Sequence, residues 1–177
     1  MILKKIVYAI DNCTGMIAKA VSYLTFLLVL TLTYEVISRY VFGSPTQWSF
    51  DVTYFLSSLF LSLGMAYTWW SGGHVSVDLI TSRLPKRVAA LIYVCLLLVF
   101  FFVCWGNILA VMIPHVQSSW ALKERAMTGF LPPIYPYKTW ILISVILFLI
   151  QAVSQLIKQL HIVITGEELK GDGRYEC

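Results

Sequence analysis

The side chains able to do chemistry in this chain are few and stand in small groups. Glu35 and Arg39 are four residues apart, acid first, the order in which a helix pairs opposite charges one turn on. Asp51 follows, three residues after Trp48. His74 and Asp78 repeat the four-residue spacing, and Lys123 and Arg125 form a small basic group. His74 and Asp78 supply two donors where a metal centre wants about four, so a helix cap or helix-end hydrogen bond suits them better. Cys13, Cys95, Cys104 and Cys177 form no C-x-x-C pair, so neither a thiol-redox site nor a disulfide framework is expected. Cys95 and Cys104 lie in an apolar run, where Cys acts as a small hydrophobe. The three histidines, His74, His115 and His161, stand at or beyond the ends of apolar runs, which disfavours a haem-ligating pair. There is no H-E-x-x-H, G-x-S-x-G or glycine-rich phosphate loop. The chain reads as non-catalytic, with no cofactor of its own.

These groups must be positioned by elements that live in lipid. Of 177 residues, 59% are hydrophobic and 12% charged, about half the charge of an ordinary soluble domain. Four runs, residues 20–38, 52–70, 88–113 and 139–157, are long enough to cross a bilayer, which takes roughly 20 apolar residues. Only the first holds a charge, Glu35, near its end. A segment in lipid must satisfy its own backbone hydrogen bonds, so helix is the default. Residues 96–103 do not alternate apolar and polar, which argues against a barrel. The expected fold is an all-α integral membrane protein, a single membrane domain. Its four spans are placed at about 17–40, 48–71, 87–113 and 137–160. Loops join them at 40–49, 71–87 and 114–137, and a polar tail follows at 161–177. Pro114, Pro132, Pro133 and Pro136 keep residues 114–137 from forming one helix. The first span lacks a small-x-small cleavage site after Leu32, so it is read as an uncleaved helix rather than a signal peptide. Ile2, Leu3, Ile6, Val7 and Ile10 recur at helical spacing. That pattern fits either a short interfacial helix or an extension of the first span.

Basic residues gather in the cytoplasmic loops of membrane proteins. Lys4, Lys5, Lys19, Arg83, Lys86, Arg87, Lys158, Lys170 and Arg174 fall on one side; Arg39, Lys123, Arg125 and Lys138 fall on the other. Both termini and loop 71–87 are therefore expected in the cytoplasm, with loops 40–49 and 114–137 outside. The net charge of +4 reflects this bias and calls for no nucleic-acid partner. Trp48, Trp69, Trp70 and Trp140 fall at span ends, at headgroup level, while Trp105 does not and is expected between helices.

Ser58, Ser62 and Ala66 put small residues on one face of the second span, and Gly106 and Ala110 repeat the spacing on the third. Such faces let helices approach closely in lipid, either within the bundle or against a partner subunit. Gln151 and Gln155 share a face of the fourth span and could bond across an interface. Glu35, Arg39 and Asp51 are read either as a local cluster tying spans one and two or as a docking point for another protein.

The stretch Glu35-Val-Ile-Ser-Arg39-Tyr40-Val-Phe42, with Pro45 and then Trp48-Ser-Phe-Asp51, resembles the first-loop signature of the small, Q-type membrane subunit of tripartite ATP-independent periplasmic (TRAP) transporters. Gly73-His74-Val75-Ser-Val77-Asp78 resembles that family's second-loop signature, and the four spans and chain length agree. The resemblance runs over roughly residues 15 to 160. Asp51 departs from it, since the family often has Glu there, and loop 114–137 matches only loosely. The resemblance implies a bacterial or archaeal inner-membrane subunit in a sodium-coupled symporter of organic acids, such as a sialic acid or a dicarboxylate. A periplasmic binding protein and a large membrane subunit would be its partners, with sodium handled by the large subunit. This chain would brace the static part of that subunit. Arg39, Trp48, Lys123 and Arg125 would help dock the binding protein. The competing reading is a self-sufficient, homo-oligomeric small transporter or channel, for which Asn107 is the best pore-lining candidate.

Overall fold

The computed structural model describes residues 2–71 and 84–166. They form four long helices: α1 (Ile2–Tyr40), α2 (Gln47–Trp70), α3 (Lys86–Ala121) and α4 (Tyr135–Thr165). All four are long and apolar enough to cross a membrane. No strand occurs among the described residues, only one isolated bridge between Arg125 and Pro133. We call the end carrying residues 41–46 and 122–134 the loop end, and the opposite one the terminus end.

α1 is a single helix of 39 residues. Of the two readings for its first residues, continuous extension is the one observed, and no separate interfacial helix is present. At 1.5 Å per residue it is about 58 Å long, nearly twice the roughly 30 Å of a hydrocarbon core. Val7, Asp11, Thr14, Val21, Thr31 and Glu35 are buried and lie on one stripe, so one face packs from Val7 to Glu35.

α3 continues through Pro114, where the sequence suggested a loop, and reaches Ala121. Proline removes one helix hydrogen bond, a loss that membrane helices tolerate. The helix also contains a π turn at Leu97–Phe102, and its packing seam shows why. Ala90, Val94, Leu97 and Phe101 follow at steps of four, three and four; Trp105, Leu109, Met112, Val116 and Ser119 continue at four, three, four and three. The step from Phe101 to Trp105 is four, where three would keep the heptad. One extra residue would rotate the second half of the helix off its partner, and the wide π turn absorbs it. Phe101 and Trp105 consequently both meet Phe148 of α4, with ring centroids 5.2 and 4.9 Å apart.

α4 is the centre of the bundle, packed against α1, α2 and α3, whereas α3 rests mainly on α4. The fully buried Gln151, Ser144 and Ser154 all belong to α4, and Ala152 and Phe148 beside them are buried too. Small side chains suit this position, because helix association in lipid relies on close packing rather than on a difference in apolarity. Pro136 stands in the first turn of α4, where its missing N–H costs nothing. Gly166 ends the helix in a left-handed conformation (φ 78°), a position that favours glycine.

Candidate functional site

The polar side chains of the bundle collect in two layers, one at each end. At the loop end, Glu35 is buried on α1. Its Oε1 accepts hydrogen bonds from Arg39 Nη2 at 2.7 Å and Nε at 3.2 Å. Its Oε2 accepts from the Thr46 amide at 3.2 Å and from the Thr46 hydroxyl. Thr46 is the N-cap residue of α2 but makes no side-chain cap of its own. The carboxylate of Glu35 thus sits at the positive end of the neighbouring helix, a favourable place for an anion. Trp48 stacks on Tyr34 with centroids 5.8 Å apart, adding a second α1–α2 tie.

Asp51 does not join this group. It is buried on α2, and its Oδ2 accepts a hydrogen bond from Thr128 Oγ1 at 2.8 Å, which ties down the long loop. That loop, residues 122–134, is internally bonded through Ala126 N to Pro132 O and Ile134 N to Glu124 O. Glu124 Oε2 accepts from Lys138 Nζ at 2.5 Å and from Ser119 Oγ at 2.6 Å, and Lys138 Nζ lies 3.1 Å from His115 Nε2. The Lys138 ammonium, followed by Ser119, holds the Glu124 carboxyl below the usual carboxylate range. Lys123 and Arg125 are exposed on this loop, and Met127 between them and the turn is wholly exposed. Sequence reasoning missed Ser119, Glu124, Thr128 and Lys138. The charge-bearing spacing between Glu124 and Lys138 was open to it, but nothing in the sequence brings the two together without the fold.

At the terminus end sequence reasoning reached Gln151 but not the aspartate it serves. Asp11, Thr14, Gln151 and Ser154 are buried and joined in one network. Asp11 Oδ1 accepts from Gln151 Nε2 and Ser154 Oγ, both at 3.1 Å, and Oδ2 accepts from Lys158 Nζ at 2.7 Å. Thr14 Oγ1 donates to Gln151 Oε1 at 2.8 Å. One turn further along α4, Gln155 Nε2 donates to the Trp69 carbonyl at the end of α2. Both glutamines therefore bond across helix interfaces, as their shared face suggested. Arg87, in the first turn of α3, reaches the Thr165 carbonyl at 3.5 Å and lies over Gly166, at the negative end of the α4 dipole.

Between the layers, Ser62 Oγ bonds Ser144 Oγ at 3.2 Å and Ala66 is buried, so these two members of the small-residue face serve α2–α4 packing. Ser58 bonds back to the Tyr54 carbonyl. Ala110 is exposed and a side chain at Gly106 would meet open space, so that face is unused within the chain. Asn107 turns its amide to the Val103 carbonyl of its own helix. Trp69 is not the headgroup anchor expected: its ring packs on Phe101 and Phe148 at 4.5 and 5.0 Å, and its Nε1 bonds Tyr93 Oη at 3.0 Å. His74 and Asp78 lie outside the described residues.

Among the described residues every buried side-chain nitrogen and oxygen has a partner. No group of three His, Cys, Asp or Glu side chains among them is placed to hold a metal ion. What this arrangement does is fix helices to one another at both ends. Comparison with known proteins adds the family: a family model described as "Tripartite ATP-independent periplasmic transporters, DctQ component" matches residues 28–161. The match takes in both loop-end groups and α4 as far as His161, and begins after Asp11. No curated protein matches the chain.

Proposed function

The chain belongs to the DctQ-component family of the tripartite ATP-independent periplasmic transporters, and from that premise we propose that it braces the static scaffold of the large membrane subunit. It is a non-catalytic, multi-pass membrane component of such a transporter, working with a large membrane subunit and a periplasmic binding protein. The transporter as a whole, on our reading, imports an organic acid, a carboxylate such as a sialic acid or a dicarboxylate, by sodium-coupled symport. Sodium and substrate are bound in the large subunit. Both termini of this chain lie in the cytoplasm and the loop end faces the periplasm.

One observation carries this reading. Among the described residues, the polar groups that join helices collect at the two ends of the bundle, apart from the Ser62–Ser144 pair, and the middle is filled with aromatic and small side chains. A transported ion or acid needs polar groups at mid-membrane. A brace needs rigid helix contacts and long apolar faces. The exposed side chains of α1 and α3, including Tyr23, Phe26, Phe100 and Val111, are suited to lipid and to the flank of another membrane protein.

The loop end is the part we assign to docking. Its carboxylates Glu35, Asp51 and Glu124 are turned inward onto Arg39, Thr46, Thr128, Ser119 and Lys138. Lys123, Arg125 and part of Arg39 stay at the surface. A surface so charged steers an acidic partner, and such steering weakens with salt.

The test is reconstitution in liposomes with an imposed sodium gradient. Uptake of a labelled organic acid is expected only with this chain, the large subunit and the binding protein together. Uptake by the purified chain alone would overturn the proposal in favour of a self-sufficient transporter. Separately, Arg39→Gln, Lys123→Gln and Arg125→Gln should weaken capture of the binding protein at low salt. Unchanged capture would remove the docking role and leave the brace intact.

A further inference from the structure

The network at the terminus end joins the first helix to the last, and it sits on a part of α1 that no bilayer requires. About half of α1 is in excess of the hydrocarbon thickness. A free end of that kind, apolar on one side and carrying Lys5 on another, has an alternative resting place along the membrane surface. The structure instead lays it on α4. We infer that Asp11 and Lys158, with Gln151, Ser154 and Thr14 around them, form a latch that holds the N-terminal part of α1 on α4 in one register.

Three observations carry this. The pair is shielded, with side-chain exposures of 10% for Asp11 and 16% for Lys158. By contrast, Arg39 in the loop-end pair is 56% exposed. The carboxylate is fully engaged, taking three side-chain donors from positions 151, 154 and 158 of α4. The arrangement also discriminates between registers. A slip of α1 by one residue would move Asp11 by about 1.5 Å and turn it by about 100°, away from all three donors at once. Stranding a carboxylate against apolar helix faces is costly, so neighbouring registers are disfavoured together. Buried ionic groups are best attested as devices of this kind, fixing register more than adding stability. Asp11 lies outside the residues matched by the family model, so this inference stands on the geometry alone.

The experiment is hydrogen exchange on the full chain in lipid nanodiscs, with the large subunit present, read separately for residues 5–16 and for residues 35–51. Lys158→Met strands the carboxylate and should speed exchange in 5–16 at least tenfold while leaving 35–51 unchanged. Asp11→Asn keeps acceptors for Gln151 and Ser154 and releases an ammonium that can reach water, so a smaller rise is expected. The double variant, Asp11→Asn with Lys158→Met, strands no charge and should return exchange to within about threefold of the parent. Unchanged exchange in Lys158→Met would overturn the latch. So would a double variant no better than Lys158→Met, because packing rather than pairing would then hold the segment. Loss of protection in 35–51 as well would show global unfolding and would also overturn a local latch.

Discussion

The two ends of the bundle solve the same problem with opposite means. At the loop end most polar ties are short-range in sequence: Glu35 meets Arg39 four residues away and Thr46 eleven away, and Glu124 meets Ser119 and Lys138. At the terminus end Asp11 meets partners 140 to 147 residues away. The loop-end pair keeps its arginine largely in contact with the surroundings; the terminus-end pair is enclosed. Neighbouring residues find each other whenever the local helix forms, and water limits what they gain. Distant residues meet only when the whole bundle is assembled, so their contact reports on the fold itself. Two ion pairs that look alike on paper therefore differ in what breaks when one partner is lost.

The comparison can be broken most directly at Lys158. Removing one partner of an enclosed pair costs about 3–5 kcal/mol, so Lys158→Met should give the largest fall in the midpoint of thermal unfolding in detergent. Arg39→Gln, at the exposed pair, should move the same midpoint far less. Equal shifts would erase the distinction between the ends. Next comes Gly166, whose φ of 78° and nearness to Arg87 (3.2 Å from a would-be Cβ to Nε) oppose any side chain. Gly166→Ala should cost on the order of 1–2 kcal/mol, seen as fraying of the last turn of α4 by hydrogen exchange. At the loop end, Asp51→Ala removes the acceptor for Thr128 and should cost about 1 kcal/mol, with faster proteolysis of residues 122–134 as the readout.

The smallest effect expected is one of pH. Glu124 has a folded-state pKa below its ordinary value, because its charged form is held by Lys138 and Ser119. Its contribution is therefore complete above the ordinary carboxylate range and is lost as pH falls through the lowered folded value. Acidification should loosen loop 122–134, measured by protease sensitivity, and Glu124→Gln should flatten that response.

The sequence made some of this legible and hid the rest for reasons that can be stated. The four spans were readable because a bilayer demands length and apolarity, and both are properties of single segments. The tie between Glu35 and Arg39 was readable because helical spacing alone creates it. A helix end was misjudged at Pro114, since a proline that would stop a soluble helix is accepted in lipid; at the N-terminus the apolar repeat suited two placements, and only the fold chose the continuous helix. Trp69 was misread because a tryptophan at a span end has an obvious use at the headgroups, and only the fold reveals Phe101, Phe148 and Tyr93 around it. Asp11 was passed over because it stands among lysines in a segment that looks like a polar lead-in. Its one sequence hint was its place on the stripe of Val7, Thr14 and Val21, a hint that gains meaning only once Gln151 and Ser154 are known to face it.

The distance between Asp11 and Lys158 along the chain also sets an order of events during synthesis. The carboxylate is made 147 residues before its ammonium. At about 5–20 residues per second, it waits roughly 7–30 s in the nascent chain. Throughout that interval the first helix carries an unmatched acid, and only the arrival of the last helix quenches it.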